Sequence, residues 1–391
     1  MPQELAYVII TPYSLHKSRT GGILARLISR TSLELAAARM FAPSPELVQE
    51  YTKVIVSAND PQDRRIQELI RDYILQNLSP DPNSKRRRRV MMLVFEGEDA
   101  VRKVRSVVGN ISPDRRGGET IRDTYGDLIL DDRGQVRYFE PAVLAAPNAE
   151  EAQWKLKLWA RYSETDGGLV ENTIVYPPNE KPERTLVLIK PDNFRFPTGR
   201  PGNVIDFFSR TGLYIVAIKV HRMSTAEAME FYSPVREILR TRLNDTVAAK
   251  AKSLIEKELG VKISAKDEKA LGDLLGPLSG DHQFENIVKF MSGRAPSECD
   301  AAELNQQGTE KCIALVYEGH EAIRKIRDVL GPTDPSKAPP GSIRREFGST
   351  IMVNAAHASD SLENARREMG IVRIGQENTF RKVVEEFYGK L

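Results

Sequence analysis

The segment LVFEGEDAVRKVRSVVG, residues 93–109, recurs as LVYEGHEAIRKIRDVLG at residues 315–331, and ten of the seventeen positions are identical. Three further pairs of segments match in the same order along the chain: YVIITP with LVLIKP, LISRTSLELAAARM with FFSRTGLYIVAIKV, and ETIRDTYGD with GSIRREFGS. A repeat of roughly 200 residues is too long for a solenoid. The pattern therefore predicts two tandem copies of one domain.

The repeats set the expected domain boundaries. They predict a first copy at residues 1–162, a linker at 163–183 and a second copy at 184–391. The linker contains DGG and YPPNEKPE and few apolar residues, which is typical of a connecting segment. Residues 241–282 carry Ala, Leu, Lys and Glu at helical spacing and predict an inserted pair of helices in the second copy.

Strands and helices alternate within the second copy. Apolar runs predict strands at TLVLI, LYIVAIKV, CIALVYEG and STIMVNAA. Each of these strands is followed by helical periodicity or by a helix start. The pair Ser224–Glu227 indicates the helix start after the second strand, and Asp360–Glu363 indicates the one after the fourth. This order predicts an α+β fold, in which each copy is a ferredoxin-like α/β sandwich with a four-stranded antiparallel sheet.

The composition excludes several classes of protein. The chain has 391 residues, 40% of them hydrophobic, and its net charge of +3 is too small to indicate a polyanionic partner for the whole chain. Apolar runs fall short of the roughly 18–20 residues that span a bilayer, and the first residues lack a secretory pattern. We expect a cytoplasmic protein without membrane or nucleic-acid partners, in which Cys299 and Cys312 are reduced thiols.

The run KRRRR at residues 85–89 is the strongest local charge cluster. Such a run could dock on nucleic acid or on an acidic protein surface. A solvated loop beside a strand is the interpretation that we favour.

A set of polar residues in the second copy could bind phosphate. These residues lie at strand ends, on a helix and in loops that lead to a histidine: Lys190, Arg327, Thr333, Arg344, Asn354 and His357. Guanidinium groups bind phosphate oxygens in pairs, and lysine adds a point charge. If these side chains converge, a neutral imidazole among them could attack phosphorus directly.

The motifs IKPD (189–192), PGSIRREF (340–347) and NAAHASDS (354–361) resemble those of the nucleoside diphosphate kinases. The resemblance covers residues 184–371 apart from the insert, and a fainter version covers residues 4–159. It implies transfer of the γ-phosphoryl group of a nucleoside triphosphate such as ATP to a nucleoside diphosphate. The transfer would be a ping-pong reaction through phosphohistidine.

The resemblance also implies residue roles. His357 is the expected nucleophile, oriented by Ser359 and Glu368. Phosphates and ribose would be held by the remaining motif residues, namely Lys190, Arg327, Thr333, Arg344 and Asn354. Tyr232 would lie beside the histidine and Ile287 against the base. Mg²⁺ would be carried on the nucleotide phosphates rather than by a protein carboxylate cage.

Two departures from the family pattern affect these expectations. Gln283 occupies the position where the family stacks an aromatic residue on the base, with Phe284 next to it, and the insert enters at the same hairpin. In the first copy, the lysine, threonine and histidine are replaced by Thr11, Ile111 and Leu144. The first copy is therefore expected to be catalytically inactive.

Arg105 and Arg122 persist in the first copy, so the arginines at these positions could serve packing. The alternative to an active kinase is a nucleotide-binding or scaffold protein in which both copies have lost turnover. A phosphohistidine relay to proteins is a third interpretation. Because the family forms dimers within larger assemblies, we expect a homo-oligomer or a pseudo-dimer within one chain.

Overall fold

The computed structural model describes residues 3–60, 62–113 and 117–391. The chain forms two compact units. The first unit comprises Met1–His221 and Cys312–Leu391, and the second comprises Arg222–Lys311. Both sheets of the repeated domain belong to the first unit.

The first copy contains a four-stranded antiparallel sheet and a two-stranded hairpin. Its elements are β1 (Gln3–Ile10), α1 (Pro12–His16), α2 (Thr20–Thr31), β2 (Glu34–Phe41), α3 (Pro45–Thr52), α4 (Arg64–Asn77), β3 (Val90–Glu98), α5 (Ala100–Val108), α6 (Ile121–Tyr125), β4 (Asp127–Leu130), β5 (Val136–Glu140), β6 (Val143–Ala145) and α7 (Ala149–Arg161). The sheet order is β2-β3-β1-β6. Buried apolar side chains of β1 and β3 make up its centre.

The second copy repeats this plan after the short helix α8 (Ser163–Asp166). Its elements in the first unit are β7 (Glu183–Ile189), α9 (Arg200–Ser209), β8 (Tyr214–His221), β9 (Cys312–Gly319), α13 (Ala322–Leu330), α14 (Ile343–Phe347), β10 (Ala356–Ala358), α15 (Leu362–Ile371) and α16 (Thr379–Tyr388). The order β8-β9-β7-β10 is the same as in the first sheet. The predicted α+β fold with two antiparallel four-stranded sheets is confirmed.

Irregular features of the backbone repeat as well. The register of β2 shifts between Leu35 and Ala37, and that of β8 shifts between Ile215 and Ala217. Gly97 and Gly319 both have a φ of 155°, in the region that favours glycine. Because a bulge bends its strand, the copies share local curvature as well as strand order.

The second unit is helical. It contains α10 (Thr225–Arg242), α11 (Asn244–Leu259) and α12 (Ala265–Ser292). The predicted capping box is present, since the Ser224 side chain accepts from the backbone of Glu227 and the Glu227 side chain accepts from the backbone of Ser224. The predicted inserted pair corresponds to α11 and the first part of α12, which continues past residue 282.

Two sequence predictions near the last strand were wrong in detail. The run STIMVNAA was expected to be a strand, but residues 349–353 form a turn in which Ser349 N donates to Val353 O at 2.8 Å. Only Ala356–Ala358 pairs with β7. The cap of α15 is Ser361 rather than Asp360, because its side chain accepts from Asn364 N.

The two copies contact each other inside the first unit. Strand β2 lies beside β8, and helix α2 packs on α9. A Cβ atom on Gly202 would lie 2.2 Å from the carbonyl oxygen of Gly21, so the two helix backbones touch at these glycines. Gly22 N also donates to Asp206 Oδ1 at 3.2 Å.

The predicted linker is ordered against both copies. Gly167 forms a bridge with Phe41 of the first copy, and Val170 N donates to Val216 O of the second at 3.0 Å. At the other end of the second copy, the ring of Phe380 on α16 lies 5.5 Å from the ring of Phe41. The linker before the second copy and the last helix of that copy therefore both pack on the first copy.

Candidate functional site

His357 lies in the middle of β10, where it pairs with Leu188 of β7. The neighbouring residues Ala355, Ala356 and Ala358 are buried, and their small side chains leave room beside the imidazole. The histidine side chain keeps 23% of its surface exposed. The ring is therefore held in a sheet while one part of it remains open to solvent.

Two buried side chains fix the orientation of this ring. Nε2 of His357 lies 3.0 Å from Oε2 of Glu368, which projects from α15. The same carboxylate oxygen accepts from Ser359 Oγ at 2.6 Å. A carboxylate favours the tautomer that carries its proton on Nε2, which puts the lone pair on Nδ1.

Lys190 follows the last residue of β7 and reaches the loop before β10. Its Nζ donates to Asn354 Oδ1 at 2.9 Å and to the carbonyl of Met352. Burial is the main cause that lowers the pKa of Lys190 to about 8; the charge of Asp192 opposes this shift, and that of Arg344 adds to it. This lysine can therefore titrate close to neutral pH.

Arg344 and Asn354 connect the loop at Thr333 to the strand of the histidine. Arg344 donates to Gly331 O at 3.0 Å and to Ala356 O at 3.3 Å, and it lies 3.5 Å from Thr333 Oγ1. Asn354 Nδ2 donates to Thr333 O at 3.1 Å. The structure thus brings a lysine, an arginine, an amide and a hydroxyl together beside β10.

The remaining predicted site residues lie outside these hydrogen bonds. Arg327 is exposed on α13, and its charge contributes to the lowered pKa of Asp360, after the hydrogen bond from Asn364. Tyr232 lies on α10 and Ile287 on α12, both half-buried in the second unit.

The structure also locates the two candidate base-stacking positions. Gln283 is exposed on α12, whereas Phe284 is 4% exposed and lies 5.4 Å from the guanidinium of Arg236 within the second unit. Phe284 is therefore a packing residue of the helical unit.

Sequence reasoning missed a second set of supports under the strand of the histidine. Asn193 is buried, and its Nδ2 donates to Ala355 O at 2.7 Å. Arg200 donates to Asn193 Oδ1 at 3.0 Å and pairs with Asp192 at 3.0 Å. Asp192 and Asn193 lie in or directly after the motif IKPD, but nothing local indicated that Arg200, seven residues after Asn193, is their partner.

In the first copy, the matching positions have different chemistry. Leu144 lies on β6, where it pairs with Ile9 of β1. Lys155 occupies the position that corresponds to Glu368. Lys155 is buried and pairs with Glu151 at 2.5 Å. The loss of the histidine was predicted from the sequence, but this replacement of an acid by a base was not.

A carboxylate from the first copy's own hairpin lies next to Thr11. Glu140, at the end of β5, accepts from Thr11 Oγ1 at 3.0 Å and from Tyr73 on α4 at 2.7 Å. Burial raises the pKa of Glu140. The ring of Phe139 lies 5.9 Å from that of Tyr73, so the hairpin packs on α4.

The contacts of Arg122 explain why an arginine persists at this position in the first copy. It donates to Gly109 O at 2.8 Å and to Val143 O at 3.3 Å, the same pair of backbone positions that Arg344 contacts in the second copy. The position therefore ties a loop to the last strand in both copies, and its persistence alone does not indicate phosphate binding.

No group of three or more histidine, cysteine, aspartate or glutamate side chains is arranged for a metal ion among the described residues. The donors beside His357 are cationic or neutral, and Glu368 is already bonded to the histidine and Ser359.

Within the part of the chain that the structure describes, no helix is both long and apolar enough to cross a membrane.

Known proteins match this chain over about half its length. The family model described as nucleoside diphosphate kinase matches residues 183–247 and 259–377. The nucleoside diphosphate kinase of Staphylothermus marinus is 31% identical over 190 residues, which are 49% of this chain and 92% of that protein. That of Wolinella succinogenes is 31% identical over 196 residues, covering 50% and 98% of the two chains.

Among solved structures, the crystal structure of the Aquifex aeolicus nucleoside diphosphate kinase has 27% sequence identity to this chain. The match covers 49% of this chain and 95% of the Aquifex aeolicus chain, with a TM-score of 0.30.

Proposed function

The chain belongs to the nucleoside diphosphate kinase family, and from this premise we propose that its second copy transfers the γ-phosphoryl group of ATP to nucleoside diphosphates. The observation that carries the proposal is the arrangement of His357, Glu368 and Ser359 beside Lys190 and Asn354. It supplies an oriented nucleophile next to groups that can bind phosphate oxygens.

In the proposed mechanism, Glu368 holds the proton on Nε2 of His357, and the lone pair of Nδ1 attacks the γ-phosphorus. A nitrogen–phosphorus bond forms, and the bond from phosphorus to the bridging β–γ oxygen breaks with its electron pair on the departing nucleoside diphosphate. A terminal phosphate oxygen of a second nucleoside diphosphate then attacks the phosphohistidine. Reversal of the first step regenerates neutral His357.

The phosphate-binding groups are now bonded to the protein itself. Lys190 donates to Met352 O and to Asn354, while Arg344 donates to backbone carbonyls. Both side chains are cationic, so phosphate oxygens can accept hydrogen bonds from them in exchange for the present acceptors. Thr333 and the exposed Arg327 complete the proposed clamp on the strength of the family resemblance.

The base and metal contacts are the remaining parts of the proposal. Tyr232 and Ile287 are proposed to contact the nucleotide, with exposed Gln283 in place of an aromatic stack. As the family resemblance implies, Mg²⁺ would be held by the nucleotide's own phosphates rather than by a carboxylate cage of the protein. The metal would supply charge neutralisation on the phosphoryl oxygens.

The proposal is tested by incubating the protein with γ-labelled ATP and then with unlabelled GDP. Acid-labile label should appear on the chain, map to His357, and leave as GTP. A chain that binds ATP but takes up no label would favour the scaffold interpretation. Label that GDP cannot remove but a protein acceptor can would favour the relay.

Binding of ADP should take up a proton at alkaline pH. In the free protein, Lys190 loses its proton as the pH rises through about 8, and the negative phosphates favour the protonated form. At pH 8.5, we expect an uptake of up to about three quarters of a proton per ADP, because that fraction of Lys190 is deprotonated in the free protein, and an affinity that falls with pH. Calorimetry in two buffers of different ionisation enthalpy measures this uptake. Lys190→Arg remains charged, so equal uptake in that variant would contradict the assignment.

We further propose that the first copy neither reacts with nor binds nucleotide. Leu144 has no nucleophilic atom, and Lys155 replaces the acid that would orient a histidine. The cavity that Leu144, Lys155 and Arg122 line has a volume of about 20 Å³. That space holds about one water molecule, so the copy's own side chains fill the place of a ligand.

Titration of the full chain with ADP should therefore give one site per chain. Arg327→Met should weaken ADP binding by roughly tenfold, since a charged hydrogen bond contributes about 1.5–3 kcal/mol. Arg105→Met, the matched change in the first copy, should leave both affinity and stoichiometry unchanged. Two sites per chain, or equal effects of the two variants, would show that the first copy binds nucleotide.

The contacts between the copies support a pseudo-dimer within one chain. The same two elements of each copy, β2 with β8 and α2 with α9, meet in the first unit. We propose that this pairing of the two copies takes the place of a dimer of two chains. An assembly of this protein would then need half as many chains as an assembly of single-copy proteins with the same number of domains.

A further inference from the structure

The backbone makes a strained turn between Asn354 and His357. Ala356 N donates to Asn354 O, two residues back, at 2.9 Å, and Ala355 between them has a φ of 70°. A γ-turn with a positive φ at its centre is rare and strained. Because a strained residue persists only where the surrounding structure holds it, the contacts of Ala355 determine whether this turn keeps its shape.

Asn193 holds the carbonyl of Ala355. The asparagine is 1% exposed, and its Nδ2 donates to Ala355 O at 2.7 Å and to Lys190 O at 2.9 Å. Arg200 Nε donates to Asn193 Oδ1 at 3.0 Å, which fixes the amide with its N–H groups toward the two carbonyls. The Asn193 side chain therefore ties the turn to the end of β7.

The first copy makes the same turn with a different side chain. The turn is centred on Ala142, whose φ is 61°, and Val143 N closes it by donating two residues back at 2.7 Å. Ala142 O accepts from Ser14 Oγ at 2.9 Å, and Ser14 is the residue that corresponds to Asn193 in the repeat. The turn thus belongs to the fold, and the same position supplies a side-chain donor to it in both copies.

In the second copy, the turn separates two groups of the proposed active site. Asn354, directly before the turn, is bonded to Lys190 Nζ at 2.9 Å and to Thr333 O at 3.1 Å. His357, two residues after the centre of the turn, is held in β10 by pairing with β7. The shape of the turn therefore sets the offset between the amide of Asn354 and the imidazole.

From these contacts, we infer that Asn193 is a positioning residue for the phosphoryl transfer proposed above, and the inference rests on that function. By holding Ala355 O, it keeps the turn in its strained shape and the imidazole of His357 in place beside the phosphate-binding groups. Since Asn193 is buried, it acts through Ala355 rather than on the nucleotide. A displacement of about 1 Å can slow a reaction about a hundredfold, so a relaxed turn should slow transfer while nucleotide still binds.

Two changes at residue 193 test the bond to Ala355 O. Asn193→Ala removes the donor and should slow the formation of GTP from ATP and GDP by about ten- to a hundredfold at saturating nucleotide. ADP affinity should change by less than about threefold, which separates positioning from binding. Asn193→Ser offers the hydroxyl that Ser14 uses in the first copy, so it should be at least about fivefold faster than Asn193→Ala.

A change at Ala355 tests the strain itself. Glycine adopts a positive φ about as readily as a negative one, so Ala355→Gly should let the turn form without the amide. Added to Asn193→Ala, it should raise the rate at least about fivefold. Ser14→Ala is the matched control, since it removes the corresponding donor in the copy that lacks the histidine, and it should leave the transfer rate unchanged.

Hydrogen exchange follows the turn without catalysis. The amide of Ala356 closes the turn, so in the full chain it should exchange at least about tenfold faster in Asn193→Ala than in the wild type. If Asn193→Ala does not fold, Asn193→Asp takes its place, because a carboxylate keeps an acceptor for Arg200 but has no N–H for Ala355 O.

Three results would overturn the inference: equal transfer rates in the wild type and Asn193→Ala, equal losses in Asn193→Ala and Asn193→Ser, and no gain from Ala355→Gly. In each of them the wild type is active, so the proposed function stands. A wild type that takes up no label from ATP would instead overturn the proposed function and the positioning role together. Exchange at Ala356 would then still show whether Asn193 holds the turn.

Discussion

A protein that carries His357→Gln is expected to transfer phosphoryl groups about 10⁴- to 10⁶-fold more slowly, the range seen when a covalent nucleophile is removed. Glutamine can still donate to Glu368, 3.0 Å from the present ring nitrogen, so the strand and its supports should remain in place. An amide has no basic lone pair with which to attack phosphorus. The initial rate of GTP formation from ATP and GDP measures the loss, and ADP affinity should change little.

The matched control is His320→Gln, a change to a histidine whose side chain is 57% exposed. It should leave the rate within twofold of the wild type. If His357→Gln retained a tenth of the wild-type rate, a second nucleophile or direct transfer between nucleotides would have to replace the phosphohistidine step. If both variants lost activity equally, the loss would reflect folding rather than chemistry.

Much of the site around His357 could be predicted because its residues are adjacent in short motifs. Ser359 is two residues from the histidine, and Glu368 lies about two turns into the helix that follows, so sequence order alone places them near β10. Glu368 is hydrogen-bonded to both His357 and Ser359, while the catalytic roles of the three residues stay predictions. Arg327 and the residues of the second unit were predicted by resemblance only, and their roles stay predictions.

The run Lys85–Arg89 illustrates what local patterns cannot reveal. It was expected to be a solvated loop, with nucleic-acid docking as the alternative. The run is a loop directly before β3, and Lys85 and Arg87 are exposed. Its arginines nevertheless have protein partners that were not predicted: Arg86 donates to Ile174 O of the linker, Arg87 pairs with Asp166, and Arg89 donates to Ile215 O of the second copy. These partners are 79 or more residues away, and a charge pattern carries no information about contacts at that separation.

The last strand was overpredicted for a related reason. The run STIMVN has the β-branched and apolar residues that favour strands, yet Ile351 and Met352 are exposed in a turn. Strand formation requires a neighbour for pairing, and β7 is already paired opposite Ala356–Ala358 at that edge. The backbone of this turn instead supplies two carbonyls, that of Met352 to Lys190 and that of Ile351 to Asn354.

Gly202→Leu is expected to lower the free energy of unfolding by about 3–5 kcal/mol, the upper end of the effects of single substitutions. A Cβ atom at this position would lie 2.2 Å from Gly21 O, 2.5 Å from Ala25 N and 2.8 Å from Ala25 Cβ. Two of these three atoms belong to the backbone of α2, so no change of rotamer relieves the overlap. Helices α2 and α9 must move apart, and the contact between the copies is lost with them.

Gly370→Leu is the matched control, because Gly370 also lies in a helix and a Cβ atom there would meet nothing within 4 Å. In that variant, the better helix propensity of leucine should leave stability unchanged or raise it by up to about 1 kcal/mol. Urea unfolding followed by circular dichroism measures the stability of both variants.

Since His357 and its partners all lie in the second copy, Gly202→Leu should still accept label from ATP wherever it remains folded. Near wild-type stability of Gly202→Leu would mean that the copies do not depend on close approach of α2 and α9. Loss of labelling in folded protein would mean that the first copy supports the chemistry of the second.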